Sequence, residues 1–354
     1  MRLVLSGFGP LNMTEAVDRR KDFFCEDMTP IALEPVDGVE ITILVDNLTD
    51  VFMPDEGPAK RFSLTSPAAP RQAASTLEGR EVVEQLRGEH GFSALVTVKA
   101  GDRTRRVLFD TGVSPDGLVH NMRFLELAPG DVEAIVLSHG HFDHTTGLDG
   151  FVRAVGRANV PVVIHPEFWS RRRLVLPGRE PWELPSTSRS ALEGFGFEIV
   201  EERQPSFLLD GCLLVTGEVD RTTEFERGFP LQEAFHHGSW EPDPLVLDDQ
   251  ALLLNIRDKG LVVLTGCGHS GIVNTLRYAR RLTGIERLYA VIGGFHLSGP
   301  IFEPLIPAVC EAFVELTPEV IVATHCTGWR AIQTLAATFP AAFIPSCVGT
   351  RFTL

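Results

Sequence analysis

Four apolar runs of this chain each end in histidine. DVEAIVLSH runs into GHFDH, placing His139, His141, Asp143 and His144 together; VVLTGCGH ends at His269, YAVIGGFH at His296 and VIVATHC at His325 with Cys326. An apolar strand gives polar groups a rigid base at its end. The repeated pattern therefore predicts a sheet-based fold whose strand ends converge on one polar site. Three of the 11 histidines lie in the six positions His139 to His144. Alternate residues of an extended segment point the same way, so His139 and His141 can reach one ion together. Asp143 and His144 can turn toward a second, close enough to share a bridging solvent oxygen. Burying so many ionisable groups without a cation is costly unless each is paired.

The rest of the chain reads as layered α/β structure. VEITILVDN (Val39–Asn47) is a buried strand, and Gly91–Gly112 a hairpin around a Gly-Asp turn. Helices are expected over GLVHNMRFLEL, Leu148–Val155, Ile272–Ala279, Pro304–Leu316 and Trp329–Thr338. Strands and helices alternate in the C-terminal third, whereas the earlier part is richer in adjacent strands. Two mixed sheets between helices fit this order better than one doubly wound sheet. No GxGxxG or Walker A sequence is present. Residues 1–38 read as an N-terminal extension and 39–354 as one domain, with irregular insertions near 49–74, 166–190 and 221–249.

Composition narrows the function. The formal charge of -15 argues against a surface that wraps nucleic acid phosphates. It does not exclude a small anionic substrate, because a cation reverses the local potential. Six cysteines without a zinc-ribbon CxxC pair suit reduced thiols. The N-terminal apolar run is too short for a secretory signal, and no apolar run is long enough to span a bilayer. A cytoplasmic protein with a small-molecule substrate is the expectation; the oligomeric state is left open.

Other residues are candidates for lesser roles. His165 shares the strand-end context, His236 and His237 fall in a loop, and His90 and His120 read as lone histidines. Ser270 or Gly271 can open a helix whose N–H groups would face an anion. Arg171, Arg172, Arg173 or Arg221 could meet a phosphate. Phe168, Trp169, Phe225 and Trp240 could stack on a planar substrate, or simply pack. Asp46 and Asn47, at the end of Val39–Asn47, and Asp110 could be outer partners of a metal site or ordinary strand-end caps.

SHGHFDH after an apolar strand is similar to the HxHxDH signature of the metallo-β-lactamase fold, and LFDTG (Leu108–Gly112) resembles that superfamily's aspartate turn. LVDN, LSHGHFDHTTGL, TGEV, LTGCGHSGIVNTL, AVIGGFHL and ATHCTG together resemble the subgroup labelled 7,8-dihydropterin-6-methyl-4-(β-D-ribofuranosyl)aminobenzene-5'-phosphate synthase-like, from Val39 to the C-terminus. The resemblance implies a four-layer αββα sandwich with two divalent metal ions at one sheet edge. Imidazole and mixed oxygen donors point first to zinc, and also suit iron and manganese. By resemblance, His139, His141 and His269 would hold one ion, and Asp143, His144 and His325 the other. GGFH puts His296 where the family carries a bridging aspartate, so His296 could ligate, it could only contact substrate, or one metal could be weakly held or absent; Cys267 is a rival bridging ligand. The implied activity is hydrolysis of a small, phosphorylated, pterin-like substrate by a metal-bound hydroxide, with Asp143 both ligating and orienting the attacker. An iron-dependent redox enzyme, a nucleic acid phosphodiesterase and a non-catalytic binding module of the same fold are the alternatives.

Overall fold

The computed structural model describes residues 29–62, 70–157 and 159–354. Most of the expected N-terminal extension and residues 63–69 of the first insertion lie outside the described residues. Two mixed sheets face each other. One runs, by strand, 198–201, 161–164, 134–136, 103–109, 93–100, 38–45, 351–353 and 59–60. The other runs 206–208, 213–215, 251–256, 260–265, 288–294 and 320–324, with Pro35–Val36 paired beside Asn255–Ile256.

Strand periodicity explains the layering. Ala94, Val96 and Val98 of one sheet, with Val262 and Leu264 of the other, fill the core between the sheets. The alternate residues Leu95 and Leu108 face outward under the helices Gly117–Phe124 and Leu148–Val155. Leu261 and Val263 face the helices Ile272–Thr283, Ile306–Leu316 and Trp329–Thr338. Helix, sheet, sheet and helix thus make four layers, the αββα sandwich. Ile272–Thr283 shows the helical counterpart: Ile272, Leu276, Ala279 and Leu282 are buried at helical spacing, and Gly284 ends the helix at a φ of 68°.

The insertions carry more order than their composition suggested. Pro and acidic residues over 230–249 read as a loop, yet Gln232–His236 and Ser239–Pro242 form a hairpin. That hairpin joins Arg172–Leu174 and Trp182–Glu183 in a separate four-stranded sheet. Three of its strands are too short or too exposed to show a clear period-2 pattern, and the apolar residues of Gln232–His236 are adjacent rather than alternate. Arg351–Thr353, past the expected last element, closes the larger sheet by pairing with Glu40–Thr42. Leu33 is buried and Pro35–Val36 is strand-paired, so the last residues of the expected extension pack into the sandwich.

Both sheets aim strand ends at the same edge. From the first come Asp46 after 38–45, Asp110 after 103–109 and His139 after 134–136; from the second come Cys267, His296 and His325. Close backbone approach at this edge demands glycine. A Cβ on Gly147 would lie 1.9 Å from the Thr111 carbonyl oxygen, and one on Gly140 would lie 2.3 Å from that of Phe168.

Candidate metal centre

The site residues start from strained backbone. Asp110, His296 and His325 have φ values of 57°, 45° and 48°, a left-handed conformation that residues other than glycine adopt only at a cost. At His325 the conformation is clamped. Asp46 Oδ1 accepts the His325 N–H at 3.0 Å and the Asn47 N–H at 2.7 Å, while Asn47 Nδ2 donates to the His325 carbonyl at 3.0 Å. Of the two roles open to Asp46, outer partner of a ligand ring or strand-end cap, the structure shows a backbone role: it grips the main chain of His325. Burial raises its carboxyl to about 6.

Asp110 organises the other side. Its Oδ1 accepts the Ser138 N–H at 2.7 Å, and its Oδ2 accepts Ser138 Oγ and lies 2.7 Å from His144 Nδ1. The Ser138 proton is committed to Asp110, so Ser138 Oγ can only accept from His139 Nδ1, 2.9 Å away. His139 therefore turns an unprotonated Nε2 into the site. His144 likewise gives Nδ1 to Asp110 and directs Nε2 inward.

The inward atoms converge. His139 Nε2 lies 2.9 Å from His141 Nδ1, and the ring centroids of His139 and His141 lie 4.8 and 4.9 Å from that of His269. His144 Nε2 lies 3.6 Å from Asp143 Oδ2 and 3.2 Å from Cys267 Sγ, and His325 Nε2 lies 3.4 Å from Asp143 Oδ2. Among the described residues the donors fall into three groups, each with its atoms within 4.8 Å: Asp143, His144, Cys267 and His325; His139, Cys267 and His269; and Cys267, His296 and Cys326. Cys267 belongs to all three, whereas His296 sits beside His269 with centroids 4.1 Å apart and away from the Asp143 group. The clusters mark a metal-binding site. Both ring nitrogens of His269, and Nδ1 of His325, are buried with no hydrogen-bond partner, which a structural histidine would not tolerate cheaply.

Electrostatics match this reading. Burial, together with the neighbouring histidines, holds His139 and His269 well below the ordinary imidazole range, and burial takes His141 to about 4. These three are neutral donors at pH 7. Burial opposes charge on Asp143, but His144 and His325 outweigh it and keep the carboxylate far below its usual range. At His144 burial is outweighed by Asp143 and Asp110, which raise the imidazole to about 9. In the metal-free protein His144 thus holds a proton that a cation would displace.

Other expectations change. Gly271 does open a helix, but the Val273 and Asn274 N–H groups donate to the Glu226 carboxylate at 2.9 and 2.8 Å, and the Ser270 N–H donates to Asp249. Internal carboxylates occupy the place foreseen for an anion. Arg171, Arg172 and Arg173 are each matched to acids, respectively Glu183, Asp243 with Asp248, and Glu233. Arg221 donates to the carbonyls of His269 and Leu245. Phe168 and Phe225 pack in the helical layers, the Trp169 indole N–H donates to Glu201, and Trp240 packs on Phe235 under Arg173. Among the described residues Phe92, Phe229 and Phe302 bring aromatic rings near the donors, and no motif signalled them; Phe92 lies 6.2 Å from the His325 ring. Phe229 stacks on His269 at 6.2 Å, and Phe302 meets His296 at 4.5 Å. His90, read as a lone histidine, stands 5.1 Å from the His325 ring. His165 accepts the Glu167 N–H, His120 bonds the Gln85 carbonyl, and His236 and His237 sit at the end of the inserted hairpin.

A family model described as the metallo-beta-lactamase superfamily matches residues 86–282. The chain is 32% identical over 251 residues to 7,8-dihydropterin-6-methyl-4-(beta-D-ribofuranosyl)-aminobenzene-5'-phosphate synthase of Methanocaldococcus jannaschii, spanning 69% of this chain and 82% of that protein. It is 31% identical over 252 residues to an uncharacterized protein of the same organism, spanning 70% and 88%. A crystal structure of a metal-dependent hydrolase of the beta-lactamase superfamily superposes with a TM-score of 0.62 at 24% identity, covering 88% of this chain and 98% of that one. Among the described residues no helix is long and apolar enough to cross a membrane.

Proposed function

Because the chain belongs to the metallo-beta-lactamase superfamily, we propose that it is a metal-dependent hydrolase of a small molecule, with two divalent cations at the sheet edge. The observation that carries this is the pair of buried, unpartnered imidazole nitrogens of His269 among converging donors. His139, His141 and His269 would hold one cation and Asp143, His144 and His325 the other. The mixed imidazole and thiolate donors suit zinc better than manganese, with iron the nearest competitor.

Bound there, the cations supply Lewis-acid polarisation of the substrate and ready ionisation of solvent. The chain's own groups do the rest. Asp143 stays ionised between His144 and His325. Its carboxylate therefore orients the attacking solvent by accepting a hydrogen bond, rather than serving as a store of protons. Phe229, Phe302 and His296 form an aromatic wall beside His269. Such a wall suits a planar ring, in keeping with the pterin phosphate named for the Methanocaldococcus jannaschii relative.

The family's bridging carboxylate has no counterpart at His296, and Cys267, which belongs to all three donor groups, would take the shared position. We assign Cys267 as the donor common to both sets. Cobalt-loaded wild-type protein should show a thiolate-to-cobalt charge-transfer band that disappears in Cys267→Ala and survives in His296→Ala. The same samples should be assayed with phosphodiesters, esters and thioesters. A band absent from the wild type would remove Cys267 from the donor set, and tight cobalt binding without turnover of any of these substrates would count against a hydrolase.

A further inference from the structure

Resting on the metal-centre reading above, we infer that Gln232 is a positioning residue. It fixes which ring nitrogen of His141 faces the donors, and the inserted four-stranded sheet exists in part to hold it there. His141 Nε2 lies 2.6 Å from Gln232 Oε1. Oxygen and nitrogen of a glutamine amide are told apart by their partners, and here the partners decide. Gln232 Nε2 lies 3.1 Å from Asp243 Oδ2 and 3.4 Å from the Asp243 carbonyl oxygen. Both are acceptors, so the amide nitrogen must face them and Oε1 must face the ring. An oxygen acceptor at Nε2 requires the proton there. That leaves Nδ1 of His141 bare, beside His139 Nε2.

The orientation of Gln232 is itself secured. Asp243 Oδ2 also accepts from Arg172 Nε at 3.0 Å, and Arg172 grips Asp248 through both terminal nitrogens, at 3.0 and 2.6 Å. Asp248 Oδ2 then accepts the N–H of Gly140 at 2.7 Å. The chain of contacts thus begins on the ring of residue 141 and returns to the backbone of residue 140. Gln232, Arg172 and Asp248 are each at most 2% exposed. A charged guanidinium buried that deeply is kept only where its hydrogen bonds are satisfied. The inserted sheet supplies the key members: Arg172 opens one strand, Gln232 opens another, and Asp243 directly follows a third.

The test is the imidazole nitrogen spectrum of 15N-histidine-labelled protein, with His141 assigned by difference against His141→Asn, alongside zinc affinity by chelator competition. Metal-free wild type should show His141 protonated at Nε2. In Gln232→Leu the ring should populate both tautomers, and zinc at the first set should bind roughly 10- to 100-fold more weakly, the usual loss on removing an outer partner. Gln232→Glu still offers an acceptor to Nε2 and should keep the wild-type tautomer, at a cost in stability because its second oxygen meets the Asp243 acceptors. A merely structural glutamine would lower stability without moving the tautomer. Wild-type His141 protonated at Nδ1, or an unchanged tautomer and zinc affinity in Gln232→Leu, would overturn the assignment. Failure of the wild type to bind zinc would count against the metal centre instead, and the metal-free spectrum would still decide the role of Gln232.

Discussion

His141→Ala should cost the protein the cation held with His139 and His269, and lower turnover by more than about 100-fold, beyond the range for losing an outer partner. His139 Nε2 and His141 Nδ1 lie 2.9 Å apart and both are neutral, so together they define one binding point. Alanine leaves His139, His269 and the shared Cys267 to hold the cation, with one imidazole fewer. The fold should survive, because His141 caps a four-residue helix and makes no side-chain capping hydrogen bond there. Metal content by elemental analysis, with circular dichroism on the same sample, separates the outcomes. Metal content equal to the wild type in folded His141→Ala would contradict the ligand role.

Asp110→Asn should act through the second set. The Ser138 N–H can still bond the amide oxygen. The amide nitrogen would then face His144 Nδ1 and Ser138 Oγ, which now meet a donor instead of a carboxylate oxygen. His144 would be pushed to carry its proton on Nε2, where Cys267 and Asp143 converge. A wrong histidine tautomer behind an intact geometry is known to cost about 10⁴-fold in the serine protease triad. A loss of about 10- to 100-fold in affinity for the second cation is expected, with the first retained.

The pH dependence should change with it. In the metal-free wild type the folded His144 pKa of about 9 lies above the ordinary 6.5. Its contribution to stability is therefore fully present below about 6.5 and lost as pH rises through 9. Removing one of the two carboxylates that raise it should narrow that window. Cation binding at His144 displaces the same proton, which contributes up to about tenfold in affinity per pH unit below 9 in the wild type, and over a smaller range in the variant. Equal second-cation affinity and an identical pH profile in Asp110→Asn would show that Asp110 does not tune His144.

The sheets were legible because their strands are apolar runs, and the donors were legible because each follows such a run. His139, His269 and His325 announce themselves in this way. The supporting residues do not. Gln232, Asp243 and Asp248 are common polar residues in a stretch rich in proline and acid, and they reach His141 and Arg172, which lie 91, 71 and 76 residues earlier in the chain. Arg172 reads as one member of a basic loop, WSRRR, whereas only its own side chain turns inward. Phe229 and Phe302 become neighbours of His269 and His296 only when two separate loops meet. Asp46 was visible at its strand end, but whether it would bond a ring or a backbone depended on the left-handed turn at His325.

The central claim is a pair of cations at the edge where the two sheets meet. The most direct measurement is anomalous scattering from crystals of the protein loaded with zinc, collected on both sides of the zinc edge. Two peaks are predicted, one within bonding distance of His139, His141 and His269 and the other of Asp143, His144 and His325, with Cys267 Sγ between them. A map with no peak inside this ring of imidazoles, from protein shown to be fully exposed to zinc, would contradict the account.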